Sequence, residues 1–271
     1  MPNPRKRFGQ HWLKSQAVLD QIVAAAEIER CDRILEIGPG TGLLTQRLLP
    51  LAETVTAVEV DRDLCKLLVR KFKDSANFLL LQDSILSVDL GAMFQRYPKF
   101  ADPNKVVANI PYNITSPILD LVLGSLAQPR EPAFESIVLL LQKEVAERLT
   151  AQSGSKVFGA MSVRTQYLAT CDYICHVPNT AFKPRPKVDS AVVRLRPRPY
   201  PQSTENPRWF QTLVKLGFSS RRKMLRNNLN SVVDRDQLTV ILEQLDVSPQ
   251  ARAEDLSVDR WVALSNSLHP V

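Results

Sequence analysis

The stretch Ile34-Leu35-Glu36-Ile37-Gly38-Pro39-Gly40-Thr41-Gly42 most limits the folds open to this chain. Its first four residues form a short, mostly apolar run that reads as a strand. The glycines allow backbone conformations closed to other residues and let a ligand approach the main chain. Leu43 to Leu51 then shows helical spacing. Strand, glycine turn and helix make the first unit of a nucleotide-binding α/β fold. The dinucleotide fingerprint places a third glycine where this chain has Leu43, which argues against a nicotinamide cofactor.

The rest of the first half repeats the theme. Ser15 is suited to cap a helix over 15–29, with Val18, Ile22, Val23 and Ala26 as its apolar stripe. A strand over 55–60 ends on Glu59 and is followed by Asp61, placed to accept hydrogen bonds from ribose hydroxyls. A strand over 78–81 leads to Asp83-Ser84, where a carboxylate can meet an adenine amine. Val106-Val107-Ala108 reads as the next strand, and 137–141 as another, followed by helical spacing over 143–148. Acids at strand ends are often only turn or cap residues. Suitable groups at successive strand ends weigh against that plainer account.

Asn109-Ile110-Pro111-Tyr112-Asn113 follows the fourth strand. Pro111 cannot donate to a sheet ladder, so the strand must stop before it. An amide and an aromatic ring therefore sit at the carboxyl end of a strand, where open α/β sheets bind ligands. An Asn carbonyl accepts from an amine, and a Tyr face stacks on a flat heterocycle. The pair suits a base flipped out of a nucleic acid.

Past residue 154, segments 173–177 and 188–195 read as β structure around a Pro- and Lys/Arg-rich excursion, 178–187, that suits a hairpin-like closure of the sheet. Phe182 lies in this excursion, and a hydrophobic plug is its plainer role. Prolines at 197, 199, 201 and 207 mark a linker. Beyond it only helical patterns follow, over 208–217, 221–230, 235–245 and 258–268, with Ser257 as cap of the last. The expected domains are 1–199 and 200–271.

Charge points to a polyanion. Residues 5–14, 183–198 and 221–226 hold 14 of the 35 basic residues and one of the 28 acids, so the remainder is net acidic. No apolar run suits a bilayer span or a signal core, which leaves a cytoplasmic protein as the expectation. Cys31, Cys65, Cys171 and Cys175 show no disulfide framework. Cys171, Cys175 and His176 lack the second pair a zinc site needs, so no metal is expected.

In order, Gln10-His11-Trp12-Leu13, Glu36 to Gly42, Glu59-Val60-Asp61, Gln82-Asp83-Ser84, Asn109 to Asn113, Gln142 to Arg148 and Phe182 to Ser190 resemble the motifs of ribosomal RNA adenine dimethyltransferases. The run Phe218 to Leu229 is similar to the C-terminal signature of the small-subunit (KsgA) type. The resemblance covers nearly the whole chain. Trp12 and Ile110 depart from the usual Phe and Leu but keep the apolar character.

The resemblance implies a Rossmann-like S-adenosylmethionine-dependent methyltransferase sheet with a β-hairpin extension, plus a small all-α C-terminal domain contributing to RNA binding. It implies that two adjacent adenines in a hairpin loop near the 3′ end of 16S ribosomal RNA are dimethylated, with a role in small-subunit biogenesis. His11 and Leu13 would close over the cofactor, with Gly38 and Gly40 at its methionine portion. Glu59 would take the ribose, Asp83 and Ser84 the adenine, and Asn109 both the cofactor edge and the target amine. Ile110, Pro111, Tyr112 and Phe182 would hold the target base, and Arg221, Arg222 and Lys223 the RNA. Asn109 and Tyr112 are the catalytic candidates. The expected partner is the immature small subunit, met by a monomer. The rivals are a large-subunit resistance-type enzyme, a DNA amine methyltransferase and a non-catalytic assembly factor.

Overall fold

The computed structural model describes Arg5 and residues 9–268; Lys6 and Arg7 of the first basic block lie outside the described residues. The chain forms two compact units. One holds residues up to 122, 132–146 and 172–196, and the other 123–131, 147–171 and 197–271.

The first unit opens with a two-residue strand, β1 (Trp12–Leu13), and helix α1 (Gln16–Ala26). Ser15 Oγ accepts from the Val18 amide and starts α1. Glu27, in the left-handed region at φ 47°, ends it. The buried stripe is Val18, Leu19, Ile22, Ala25 and Ala26. Strand β2 (Arg33–Ile37) runs through the glycine turn to the short helix α2 (Thr45–Leu48). Then come β3 (Thr54–Glu59), α3 (Arg62–Lys71), β4 (Phe78–Gln82), α4 (Leu90–Arg96), β5 (Lys105–Asn109), α5 (Thr115–Leu123), β6 (Ser136–Gln142) and α6 (Lys143–Leu149). After α7 (Ala160–Leu168) the chain adds β7 (Ala169–Val177), the two-residue β8 (Phe182–Lys183) and β9 (Ser190–Pro197).

The main sheet has seven strands in the order β4-β3-β2-β5-β6-β9-β7. The first five are parallel, and β9 runs antiparallel to β6. Strands β3 and β6 are buried along nearly their whole length, as parallel strands covered on both faces must be. The excursion between β7 and β9 carries β8, which pairs with β1 as Leu13↔Phe182 and Trp12↔Lys183. Val138, Leu140 and Val192 of the sheet share an apolar cluster with Leu19 and Ile22 of α1.

Helices α8 (Pro207–Gly217), α9 (Leu225–Asn228), α10 (Arg235–Gln244) and α11 (Val258–Ser267) build most of the second unit. Asn206, Asp234 and Ser257 cap α8, α10 and α11. Trp261 and Phe210 are fully buried at the centre, and Trp261 Nε1 donates to the Ala253 carbonyl at 3.2 Å. The expected boundary at 199/200 omits two segments of this unit. Leu126, Phe158 and Val163 bury in its core and bring their segments with them. The expected helix over 221–230 is also shorter. Residues 221–224 form a turn, because Asn228 Nδ2 donates to the carbonyls of Gly217 and Ser220 and folds the chain back on α8.

No helix among the described residues is long and apolar enough to cross a membrane. Nor do the described residues include a group of three or more His, Cys, Asp or Glu able to hold a metal ion.

Candidate active site

From β2 the chain proceeds outward to β3 and β4, then returns to β5 on the other side of β2. That reversal opens a crevice at the strands' carboxyl ends. The β2–β5 register covers only Ile34↔Lys105 and Leu35↔Val106, so the ends beyond it are free to separate. A cleft of about 1010 Å³, its solvent mouth included, lies there. Its lining includes His11, Leu13, Gly38, Gly40, Glu59, Asp83, Ser84, Asn109, Ile110, Pro111 and Tyr112.

On the β2 side, Gly38 and Gly40 have φ of 66° and 58°, a region that side chains rarely enter. The Gly40 amide donates to Glu59 Oε2 at 3.2 Å, and the Asp61 amide to Glu59 Oε1 at 2.9 Å. Glu59 therefore ties the glycine turn to the end of β3. Burial raises its pKa, opposed by these backbone donors. Glu36 lies deeper, inside β2, only 1 % exposed. Burial pushes its carboxyl up to about 8, with the Glu59 charge adding; the Thr45 hydroxyl, at 2.6 Å, and Lys71 oppose it. The sequence signal for Glu36 was an acid within an otherwise apolar strand. Asp83, beyond β4, is exposed and accepts from the Ser84 amide at 2.6 Å.

On the β5 side, the strand ends at Asn109, and Pro111 leads into a single helical turn, Tyr112–Ile114. Asn109 Nδ2 donates to the His11 carbonyl at 3.4 Å, while its Oδ1 accepts no hydrogen bond among the described residues. The Tyr112 hydroxyl meets Ser190 Oγ at 2.6 Å. Burial raises the Tyr112 pKa, with the Ser190 bond opposing. The His11 ring stacks against Tyr112 with centroids 5.9 Å apart and planes 20° from parallel.

Residues 9–13 form a strap along the cleft. Gln10 Nε2 donates to Asp61 Oδ2 at 2.9 Å, and His11 Nδ1 lies 2.9 Å from the Pro184 carbonyl. The role of Gln10 in fastening the strap was not legible beforehand. Phe182 does not line the cleft. It is 5 % exposed and packs in the apolar cluster with Leu13 and Val177, as a hydrophobic plug would. Nor does the whole basic block over 183–198 face a polyanion freely: Arg194 and Arg196, in β9, are ion-paired with Glu27 and Asp172.

In the helical unit, Arg221, Arg222 and Lys223 are exposed on the turn before α9. Arg221 donates to the carbonyls of Lys156 and Phe158.

Two solved structures share this arrangement over almost their whole length. A dimethyladenosine transferase from Plasmodium falciparum superposes with a TM-score of 0.76 at 27 % identity, over 94 % of this chain and 96 % of that one. The 23S rRNA methyltransferase ErmE gives 0.74, also at 27 % identity, over 95 % and 99 %. Fold and cleft together define a Rossmann-like methyltransferase. The family described as ribosomal RNA adenine dimethylase matches residues 1–269. The ribosomal RNA small subunit methyltransferase A of Acaryochloris marina is 63 % identical over 270 residues, spanning 100 % of this chain and 99 % of its own. The chain belongs to the ribosomal RNA adenine dimethylase family, a family of S-adenosylmethionine-dependent methyltransferases.

Proposed function

We propose that this protein transfers methyl groups from S-adenosylmethionine to the exocyclic amines of two adjacent adenines near the 3′ end of 16S ribosomal RNA, dimethylating each. End-to-end identity of 63 % to a small-subunit methyltransferase, against 27 % to the 23S enzyme, carries the choice of substrate. It acts as a cytoplasmic monomer on the immature small subunit. The helical unit contributes phosphate contacts through its basic turn.

The cleft suits the cofactor. A Cβ at Gly38 would stand 3.8 Å from Pro111 Cδ, so a side chain there would reach across from the β2 end to the β5 end. The glycine leaves that gap for a ligand. Glu59 offers a fixed carboxylate to ribose hydroxyls, and Asp83 an exposed one to an adenine amine. Gly40 lies beside the Trp12 ring, which its Cβ would approach to 3.4 Å, giving the methionine portion a close backbone wall. His11 and Leu13 hold the strap over it.

When bound, the cofactor supplies an electrophilic methyl on a sulfonium. The remaining difficulty is the adenine amine, whose lone pair is delocalised into the ring. Asn109 Oδ1 and the Ile110 carbonyl accept hydrogen bonds from the amine's two N–H groups and turn the lone pair outward. Once the methyl has moved from sulfur to nitrogen, the cationic amine releases its surplus proton to solvent. His11 fixes the Asn109 amide through its nitrogen, which leaves the oxygen for substrate. This is positioning and electrostatic preorganisation, with no general base. Tyr112 supplies a stacking face that offsets part of the cost of unstacking the base.

The deciding experiment is transfer of labelled methyl groups to small-subunit particles, large-subunit RNA and duplex DNA. Incorporation into adenines of the small-subunit particle alone is expected. Preference for large-subunit RNA or DNA, or no transfer to any of them, would overturn the proposal.

A further inference from the structure

The partner of the Tyr112 hydroxyl belongs to a different part of the sheet. Ser190 opens β9, is fully buried, and is held opposite Gln142 in the β6–β9 ladder. Its position is therefore set by main-chain pairing. The neighbours Ala191, Val192 and Val193 are apolar and buried. A hydroxyl in such a strand is unfavourable unless it finds a partner. The partner it finds is the phenol at the candidate target site, 2.6 Å away.

Tyr112 is held at two other places. Thr115 Oγ1 donates to its carbonyl at 3.2 Å, and His11 lies against its ring. Neither contact fixes the far end of the side chain. The hydroxyl oxygen lies on the axis about which the ring turns, so a bond there fixes where the far end of the ring sits, while the His11 ring against its face bears on its plane. We infer that Ser190 is a positioning residue for methyl transfer: through the Tyr112 hydroxyl it fixes the position of the ring against which the target adenine stacks. This rests on the proposed role of Tyr112 as the base platform. Ser190 touches neither base nor cofactor in this scheme.

The test is a double-mutant cycle in single-turnover methylation of small-subunit particles at saturating RNA and cofactor. Ser190→Ala and Tyr112→Phe each delete the same hydrogen bond, from opposite sides. Each is expected to slow transfer about five- to tenfold, the scale of one hydrogen bond. The double variant should be no slower than either single within about twofold. Cofactor affinity by calorimetry and RNA affinity by filter binding should be unchanged in all three. A merely structural serine would instead give losses that multiply in the double variant, and that result overturns the inference. So does a wild-type rate in Ser190→Ala. If Ser190→Ala fails to fold, Tyr112→Phe reads the same bond alone, and a wild-type rate there is equally fatal. Tyr112→Ala separates the two readings. A wild-type rate in that variant removes the platform itself, whereas a severe loss beside unimpaired Ser190→Ala and Tyr112→Phe removes only the positioning role.

Discussion

The Asn109 side-chain nitrogen donates to the His11 carbonyl, so the end of β5 and the N-terminal strap orient one another. The bond decides which end of the amide is free, and it is the accepting end. Asn109→Ala removes that acceptor from the site. The loss should fall on the chemical step, because the amine's lone pair is reoriented mainly on the way to the transition state. Loss of one preorganised partner typically costs about a hundredfold or more in rate. RNA binding should persist, since phosphate contacts lie elsewhere. Single-turnover rates within a few-fold of wild type would leave Tyr112 acting by stacking alone.

Glu59 does two things at once, and two substitutions separate them. Its carboxylate holds the Gly40 and Asp61 amides and offers its remaining lone pairs to the cofactor's ribose. Glu59→Ala should weaken cofactor binding by about 1–3 kcal/mol, as for a lost hydrogen bond to a charged group. Glu59→Gln keeps one accepting oxygen and should lose less. Calorimetry showing wild-type affinity in Glu59→Ala would remove this residue from the ribose site.

The basic turn should divide by residue. Arg221 is already engaged with the carbonyls of Lys156 and Phe158, whereas Arg222 and Lys223 are exposed and their side chains make no hydrogen bond or ion pair among the described residues. Reversing Arg222 and Lys223 to Glu should weaken RNA binding and reduce the slope of log K against log salt by roughly 2, one for each lost phosphate contact. Thermal stability and cofactor affinity should not move. Arg221→Ala should instead lower the melting temperature. A double reversal with an unaltered salt slope would place this turn away from the RNA.

How much of this could be read beforehand follows from distance along the chain. Glu36 to Gly42 and Asn109 to Tyr112 are contiguous, and their strand–turn chemistry is written in neighbouring residues. The strands of the parallel sheet were legible because buried strands are short continuous apolar runs. β1 and β8 were not, because two residues carry no periodicity. Helix α3 also escaped: its charged residues hide a narrow stripe of Leu64, Cys65 and Leu68. Contacts between distant residues were invisible. Glu27 neutralises Arg194 from 167 residues away, so a block counted as free positive charge is partly spent. Phe182 reads equally well as a platform or a plug until Leu13 is seen opposite it.

The buried Glu36 makes a prediction about pH. Its folded-state pKa is about 8, against 4.5 for the unperturbed group. Below pH 4.5 both folded and unfolded chains carry the proton, and the residue contributes no pH dependence. Between 4.5 and 8 the unfolded chain has lost the proton and the folded chain keeps it, so folding takes up a proton and stability falls as pH rises. The slope from this one group approaches about 1.4 kcal/mol per pH unit in the middle of that range. Above 8 both states are ionised and the difference levels off. Glu36→Gln replaces the acid with a neutral group that keeps an oxygen for the Thr45 hydroxyl, and it has no such dependence. The wild type should therefore lose stability relative to Glu36→Gln between about pH 5.5 and pH 8.5. Urea denaturation of the two ligand-free proteins at several pH values measures that difference. If the difference is the same at both ends of the range, Glu36 is already ionised in the folded protein, and Lys71 rather than burial governs its charge.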